Sequence, residues 1–182
     1  LKDLGHTDIL KRISASKKLW MSFWGSQFNV VLTTGHIPLS KVPQRWTKTE
    51  VKACAQATKD FLTSWQPKLA RKPLAYLGLN PHAGDAGLIG KEEKKMMSLG
   101  KGLQGPLVPD TAFQKINQKK FAAFLAAYHD QGLIPFKLAH GFDEGVHVTL
   151  GLPFLRTSVD HGPAKDIAGT GKAHHGSMRD AL

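Results

Sequence analysis

Two rhythms of apolar residues run through this chain. The helical one is clearest over residues 47–65, where Val51, Ala55, Thr58, Leu62 and Trp65 share one face. Thr47 and Glu50 there have capping-box spacing, and Gln66-Pro67 is the stop. A second helical stretch opens the chain, with Ile9, Leu10 and Ile13 following Thr7 and Asp8, either of which suits an N-cap. Short apolar runs bounded by glycine, proline or polar residues read as strands. They cover residues 28–34, 73–79, 121–128, 145–152 and 154–159, the last carrying Arg156. Residues 17–24 suit either a strand or a buried turn. Residues 91–97 predict a short charged helix, and residues 177–182 the start of a last one. Asp110-Thr111-Ala112-Phe113 reads as an N-cap and first helical turn. Strands alternating with helices predict an α/β fold.

Histidines recur where the apolar runs stop. His36 follows residues 28–34, and His82 stands in a glycine-rich turn after residues 73–79. His129 follows residues 121–128 in Tyr128-His129-Asp130-Gln131-Gly132, which reads as a polar turn. Open α/β sheets present catalytic groups just past the carboxyl ends of strands. If the three strands are neighbours, three imidazoles meet at one edge, a donor set that suits a divalent transition metal and leaves a position for substrate. With no local signature such as HExxH, the same three also read as surface or internally satisfied histidines, the commoner case. Asp110 and Asp130 are placed to orient imidazoles, with Asp110 equally readable as a cap. His6, Thr7, Lys137 and Arg156 are candidate anion contacts. Arg156 lies in an apolar setting and needs a partner, either a substrate phosphate or carboxylate or an internal Asp. Ala168-Gly169-Thr170-Gly171 is not a dinucleotide fingerprint and reads as a loop.

Composition narrows the class. The chain has 182 residues, 41% hydrophobic and 21% charged, enough for one domain or two small subdomains with a real core. No apolar run approaches the roughly 20 residues of a membrane span. Cys54 is the single cysteine, which excludes an internal disulfide framework and fits a reducing cytoplasm. It reads as a small buried residue on a helix. A net charge of +11 suits nucleic acid or a phosphorylated or carboxylated small molecule. The basic residues are spread without a dense tract, so neither a nucleic-acid nor a membrane partner is expected. The start, Leu1-Lys2-Asp3, has no initiator Met and no signal pattern, and the expectation is a fragment, a processed form or an N-terminally incomplete chain.

Six motifs occur in a fixed order: Gly5-His6-Thr7; Thr34-Gly35-His36-Ile37-Pro38-Leu39; Leu79-Asn80-Pro81-His82-Ala83-Gly84; Gly105-Pro106-Leu107 with Asp110-Thr111; Tyr128-His129-Asp130-Gln131-Gly132; and Gly151-Leu152-Pro153-Phe154-Leu155-Arg156-Thr157-Ser158-Val159-Asp160-His161-Gly162. Together they resemble the 4-hydroxythreonine-4-phosphate dehydrogenases of pyridoxal 5′-phosphate biosynthesis, from Gly5 to the C-terminus. The resemblance implies an αβα layered fold of the isocitrate/isopropylmalate dehydrogenase type. It has two subdomains: residues 1–126 for metal, substrate and dimerisation, and residues 127–182 as part of an incomplete nucleotide-binding subdomain. It implies metal-dependent, NAD(P)-linked oxidation of 4-phosphohydroxy-L-threonine with decarboxylation. The enzyme would be a cytoplasmic homodimer whose active sites draw on both subunits.

His36, His82 and His129 fall on the family's metal positions, for Zn, Mg, Mn or Co. His6, Thr7, Lys137 and Arg156 fall on substrate positions, and Lys137, Asp130 and Asp110 on catalytic ones. His161, Gly162, Ala164 and Asp166 look like a loop that holds NAD or NADP. Three departures stand out. His147 replaces a substrate-contacting Asn, the segment between His82 and Asp110 is shortened, and Pro163 stands where Thr or Ser is usual. The alternatives are a dehydrogenase of another phosphorylated hydroxy acid, or a truncated, non-catalytic metal-binding paralogue.

Overall fold

A computed structural model describes residues 6–141, 144–162 and 164–182, without the side chain of Asp8. Gly5 of the first motif and Pro163 lie outside the described residues. The first elements are α1 (His6–Ile13), β1 (Trp20–Trp24), β2 (Asn29–Leu32), α2 (Val42–Arg45), α3 (Lys48–Trp65) and α4 (Pro67–Ala70). The middle contains β3 (Leu74–Leu77), α5 (Glu92–Met96), β4 (Leu103–Leu107), α6 (Lys115–Lys120), β5 (Phe124–Ala126) and α7 (His129–His140). The chain closes with β6 (Val146–Leu150), β7 (Thr157–Val159) and α8 (Gly176–Ala181).

The seven strands make one mixed sheet in the order β4-β3-β5-β2-β1-β6-β7. β4, β3, β5 and β2 run parallel. β1 is antiparallel to both β2 and β6, and β7 is antiparallel to β6. The parallel strands β2, β3 and β5 are buried along their whole length, as strands covered on both faces must be. Alternation divides their side chains between two cores. Val31, Leu74, Tyr76 and Leu125 meet Val51, Cys54, Ala55 and Leu62 of α3. Val30, Leu32, Ala75, Leu77, Phe124 and Ala126 meet Leu133 and Phe136 of α7. Helix, sheet and helix thus form the three expected layers.

The α3 capping box forms as expected, Thr47 Oγ1 accepting from the Glu50 amide. Val51, Ala55, Thr58 and Leu62 are buried, while Trp65 ends the stripe exposed. Cys54 is fully buried and its thiol is pushed up to about 12 by loss of water. Residues 17–24 resolve into the strand β1.

Four expectations are corrected. Tyr128-His129-Asp130-Gln131-Gly132 is not a turn: His129 begins α7, a 12-residue helix with Pro135 inside it. Gly132 and Pro135 disfavour a helix intrinsically, but packing on the sheet overrides them. Asp110-Thr111-Ala112-Phe113 is a turn and not a helix start, since α6 begins at Lys115 with Gln114 as its N-cap. Ala112 and Phe113 are drawn into the core, the Phe113 ring packing tilted against Phe28 at 5.1 Å and Phe124 at 5.0 Å. Thr7 and Asp8 lie inside the first turn of α1 instead of capping it. The last strand is only Thr157–Val159, so Arg156 precedes it, its carbonyl accepting from the Thr149 amide.

Gly132 shows how closely α7 sits on the sheet. A Cβ there would lie 2.5 Å from Val30 Cγ1, 3.0 Å from Ala126 Cβ and 3.1 Å from Leu32 Cδ2. Gly132→Ala therefore has to push α7 away from β2 and β5. We expect a loss of about 1–3 kcal/mol in urea-unfolding stability. A variant as stable as the parent would show that the helix is not seated this tightly.

Candidate active site at the carboxyl edge of the parallel strands

Four parallel neighbours end on one edge of the sheet, and the candidate residues follow each of them. Asp110 comes after β4, His82 after β3, His129 and Asp130 after β5, and His36 after β2. Hydrogen bonds tie the strand ends together. Thr34 Oγ1 donates to the Ala127 carbonyl at 2.6 Å, and Gly78 N donates to the Leu107 carbonyl at 2.8 Å. Gln131, in the first turn of α7, accepts from Ala127 N and donates to the Gly78 carbonyl, each at 2.7 Å. It thus bridges the ends of β5 and β3, from which His129 and His82 project.

The rings of His36 and His129 have centroids 5.2 Å apart. Two imidazoles on one tetrahedral zinc, with Zn–N near 2.1 Å, have centroids roughly 5 Å apart, so this pair fits a shared divalent ion. Asp130 Oδ1 lies 2.6 Å from His129 Nδ1. A carboxylate only accepts, so Nδ1 carries the proton and Nε2 keeps its lone pair for a ligand. His82 and Asp110 are exposed at the same edge. Among the described residues, no three His, Cys, Asp or Glu side chains gather closely enough to hold a metal ion within one chain. The donor chemistry fits a metal, and two of the three candidate histidines are brought together.

His82 sits on an unusual turn. His82, Ala83, Gly84, Asp85 and Ala86 have φ of 52°, 51°, 81°, 43° and 50°, a left-handed run inside the 3-10 segment Pro81–Gly87. Left-handed backbone costs a residue with a Cβ roughly 1–2 kcal/mol, and four of these five carry one. A buried carboxylate, Glu93, lies at the base of the turn. Its Oε1 accepts from the amides of Leu79 at 2.8 Å and Asn80 at 2.7 Å.

The remaining candidates lie on α1, farther along α7 and on the segments around β7. His6 and Arg156 line one cavity with Ile9 and Leu10, and Thr7 is half-buried beside them on α1. Lys137, two turns into α7, donates to the Asp160 carbonyl at 3.0 Å and to its Oδ2 at 3.3 Å. The Asp160 side chain is wholly buried. Asp160 is thus the internal acid that partners a candidate cation, but the cation is Lys137, whereas Arg156 donates elsewhere. His161, Gly162, Ala164 and Asp166 occupy the loop after β7, largely exposed. Because β7 runs against β6, this loop leaves from the edge opposite His36 and His129. His161 Nδ1 is bonded to the Gly162 carbonyl, and Ala164 is left-handed at the start of a single 3-10 turn.

The family model described as Pyridoxal phosphate biosynthetic protein PdxA matches residues 1–182. The chain belongs to this family. It is 46% identical over 188 residues to the 4-hydroxythreonine-4-phosphate dehydrogenase of Aquifex aeolicus (strain VF5), covering 98% of this chain and 57% of that one. The crystal structure of the enzyme of that name from Klebsiella pneumoniae superposes with a TM-score of 0.84 at 35% identity, covering 99% of this chain and 56% of the other. A terephthalate 1,2-cis-dihydrodiol dehydrogenase from Burkholderia xenovorans LB400 superposes with a TM-score of 0.72 at 26% identity, covering 96% of this chain and 58% of that one. The chain spans little more than half the length of the curated relatives it matches.

Within this PdxA family chain, His147 stands out. It lies on β6, buried, its ring stacked 5.1 Å from Phe23. Arg156 Nη1 approaches its Nδ1 at 3.0 Å and also donates to Thr149 Oγ1 at 3.0 Å. A guanidinium only donates, so Nδ1 must accept and the proton sits on Nε2. That Nε2 is buried without a hydrogen-bond partner. Burial first, then the charge of Arg156, then His36, lowers the His147 pKa to about 4.

Three residues with structural roles around the candidates carry no clear signal in the sequence. Glu93 was absorbed into a charged helix, Gln131 into a turn, and Asp160 into a motif without a role. The Asn80…Glu93 pairing carries no local signature, but Gln131 stands two residues after His129, where the first turn of a helix would aim it back at the strand end.

The His147 shift has a pH consequence. Its folded pKa of about 4 is below the ordinary value of 6.5. A depressed pKa contributes stability that is full above about 6.5 and is lost as pH falls toward about 4. We expect urea-unfolding free energy to drop by roughly 3 kcal/mol more across that window in the parent than in His147→Asn. Identical pH profiles would refute the buried, neutral state of His147.

Proposed function

We propose that this chain is the catalytic part of a metal-dependent, NAD(P)-linked 4-hydroxythreonine-4-phosphate dehydrogenase. The observation that supports it most is the set of His36, His82, His129, Asp110 and Asp130 at the carboxyl ends of four adjacent parallel strands, in a chain of the PdxA family. His36, His82 and His129 would hold Zn, Mg, Mn or Co. When bound, such a cation would acidify a substrate hydroxyl and polarise the ketone formed after hydride passes to NAD or NADP. Asp130 keeps the His129 ring in the tautomer that leaves Nε2 available. Asp110 adds a carboxylate at the same edge. Arg156, His6 and Thr7 form the group suited to a phosphate, which fixes the substrate away from its reacting carbon. His147 Nε2–H adds one donor of fixed direction.

In this reading residues 1–126 provide the metal, substrate and dimerisation functions, and residues 127–182 part of the nucleotide side. His161, Gly162, Ala164 and Asp166 would contact the nucleotide and Lys137 the substrate. The nucleotide loop leaves from the edge opposite the histidine pair within one chain, which supports a homodimer with active sites shared between copies, and the reading places that enzyme in the cytoplasm. No helix among the described residues is long and apolar enough to cross a membrane. A second reading, a dehydrogenase of another phosphorylated hydroxy acid, is favoured by His147, whose single donor replaces an amide that both donates and accepts. A third, a non-catalytic metal-binding paralogue, draws on the chain spanning little more than half of its relatives.

One assay separates them. The chain is loaded with Zn²⁺, Mg²⁺, Mn²⁺ or Co²⁺ and offered NAD⁺ or NADP⁺ with 4-phosphohydroxy-L-threonine and a panel of phosphorylated hydroxy acids. Reduced nucleotide and CO₂ from the threonine-derived substrate are expected, together with loss of metal stoichiometry in His36→Ala, His82→Ala and His129→Ala. Turnover of a different panel member alone would select the second reading. Metal binding with no turnover of any substrate would select the third, and undiminished metal stoichiometry in all three variants would refute the triad.

A further inference from the structure

The turn that carries His82 is tied at both ends by backbone hydrogen bonds, yet its conformation is costly. Across it, Ala83 N donates to the Asn80 carbonyl at 3.1 Å, and two further amides reach back from Leu88 and Ile89. Four of its left-handed residues are not glycine. Strain of this kind persists only where the surroundings over-determine it, and it gathers where a side chain must be presented in a fixed direction.

The surroundings here converge on one carboxylate. Glu93 is 3% exposed although it lies on the short charged helix α5. Its Oε1 takes the amides of Leu79 and Asn80, the two residues that lead into Pro81-His82, and its Oε2 takes Asn80 Nδ2 at 3.0 Å. Glu92 Oε2 accepts from the same side-chain amide at 2.9 Å. The turn wraps around the carboxyl group: a Cβ on Gly84 would lie 2.6 Å from Glu93 Oε2. On its other side the turn rests on the end of β3, where a Cβ on Gly78 would lie 2.9 Å from Ala83 Cα. A buried charge that accepts this many N–H groups is satisfied only while the turn keeps its shape. The carboxylate and the left-handed backbone therefore fix each other.

We propose that Glu93 is a positioning residue that locks the His82 turn in its metal-presenting form, with Asn80 as the intermediary. The proposal rests on the reading of His82 as a ligand given above. Its test is a Zn²⁺ titration of the whole chain against a chromophoric chelator, with amide exchange at Leu79, Asn80 and Ala83 measured in parallel. Glu93→Ala should weaken Zn²⁺ binding about 10–100-fold and speed exchange at those amides. Glu93→Gln keeps the oxygen facing the two backbone amides and loses the one facing Asn80. It should fall between the parent and Glu93→Ala in both readouts. Parent-like affinity in Glu93→Ala, with binding lost in His82→Ala, would overturn the proposal while sparing the ligand assignment. Parent-like affinity in His82→Ala would remove the ligand assignment itself, and the exchange rates would then decide: unchanged protection in both Glu93 variants overturns the lock. If Glu93→Ala does not fold, Glu93→Gln with parent-like affinity and exchange overturns it.

Discussion

The close approach of α7 to the sheet at Gly132 is the constraint on which the site depends. Without a Cβ at this position the helix comes down onto Val30, Leu32 and Ala126. Helix α7 can then start after a link of only Ala127 and Tyr128, with His129 opening it. His129 consequently stands level with the end of β2, near His36. It also lets Gln131 reach both Ala127 and Gly78. A helix held farther out would need a longer link, and the imidazole would leave the strand end. One missing methyl group thus sets the geometry of the parallel edge.

Much of the fold could be read from the sequence, because its signals were local. The Thr47–Glu50 cap, the α3 stripe and the β-branched and apolar runs of β2, β3 and β5 each show themselves within a few residues. What was misread was decided at long range. Gly132 and Pro135 look like breakers until the sheet beneath them is known. Phe113 looks like a helical residue until Phe28 and Phe124 claim it. Of the site, the placement of His36, His82 and His129 past three strands was legible. That these strands are adjacent was not, because strand order is a property of the sheet.

The acids show the same limit. Asp130 is next to His129 and its partner could be guessed. Glu93 and Asp160 are buried, and each is matched to groups 13 to 23 residues away. In the sequence, Glu93 sits in a run of charges of the kind usually found on a solvated face. Burying it demands several donors, and the strand end and Asn80 provide them. The acids that appear ordinary in the sequence are the ones that hold the backbone in place.

β1 lies antiparallel between two differently built halves of a single sheet. On one side the parallel strands carry the histidines. On the other, the hairpin of β6 and β7 carries His147, with Arg156 at its turn. The His36–His129 pair and the His147–Arg156 pair therefore reside on separate blocks, joined across a strand that holds no candidate residue. Substitution on the hairpin, as at His147, leaves untouched the hydrogen bonds that tie the ends of the parallel strands together.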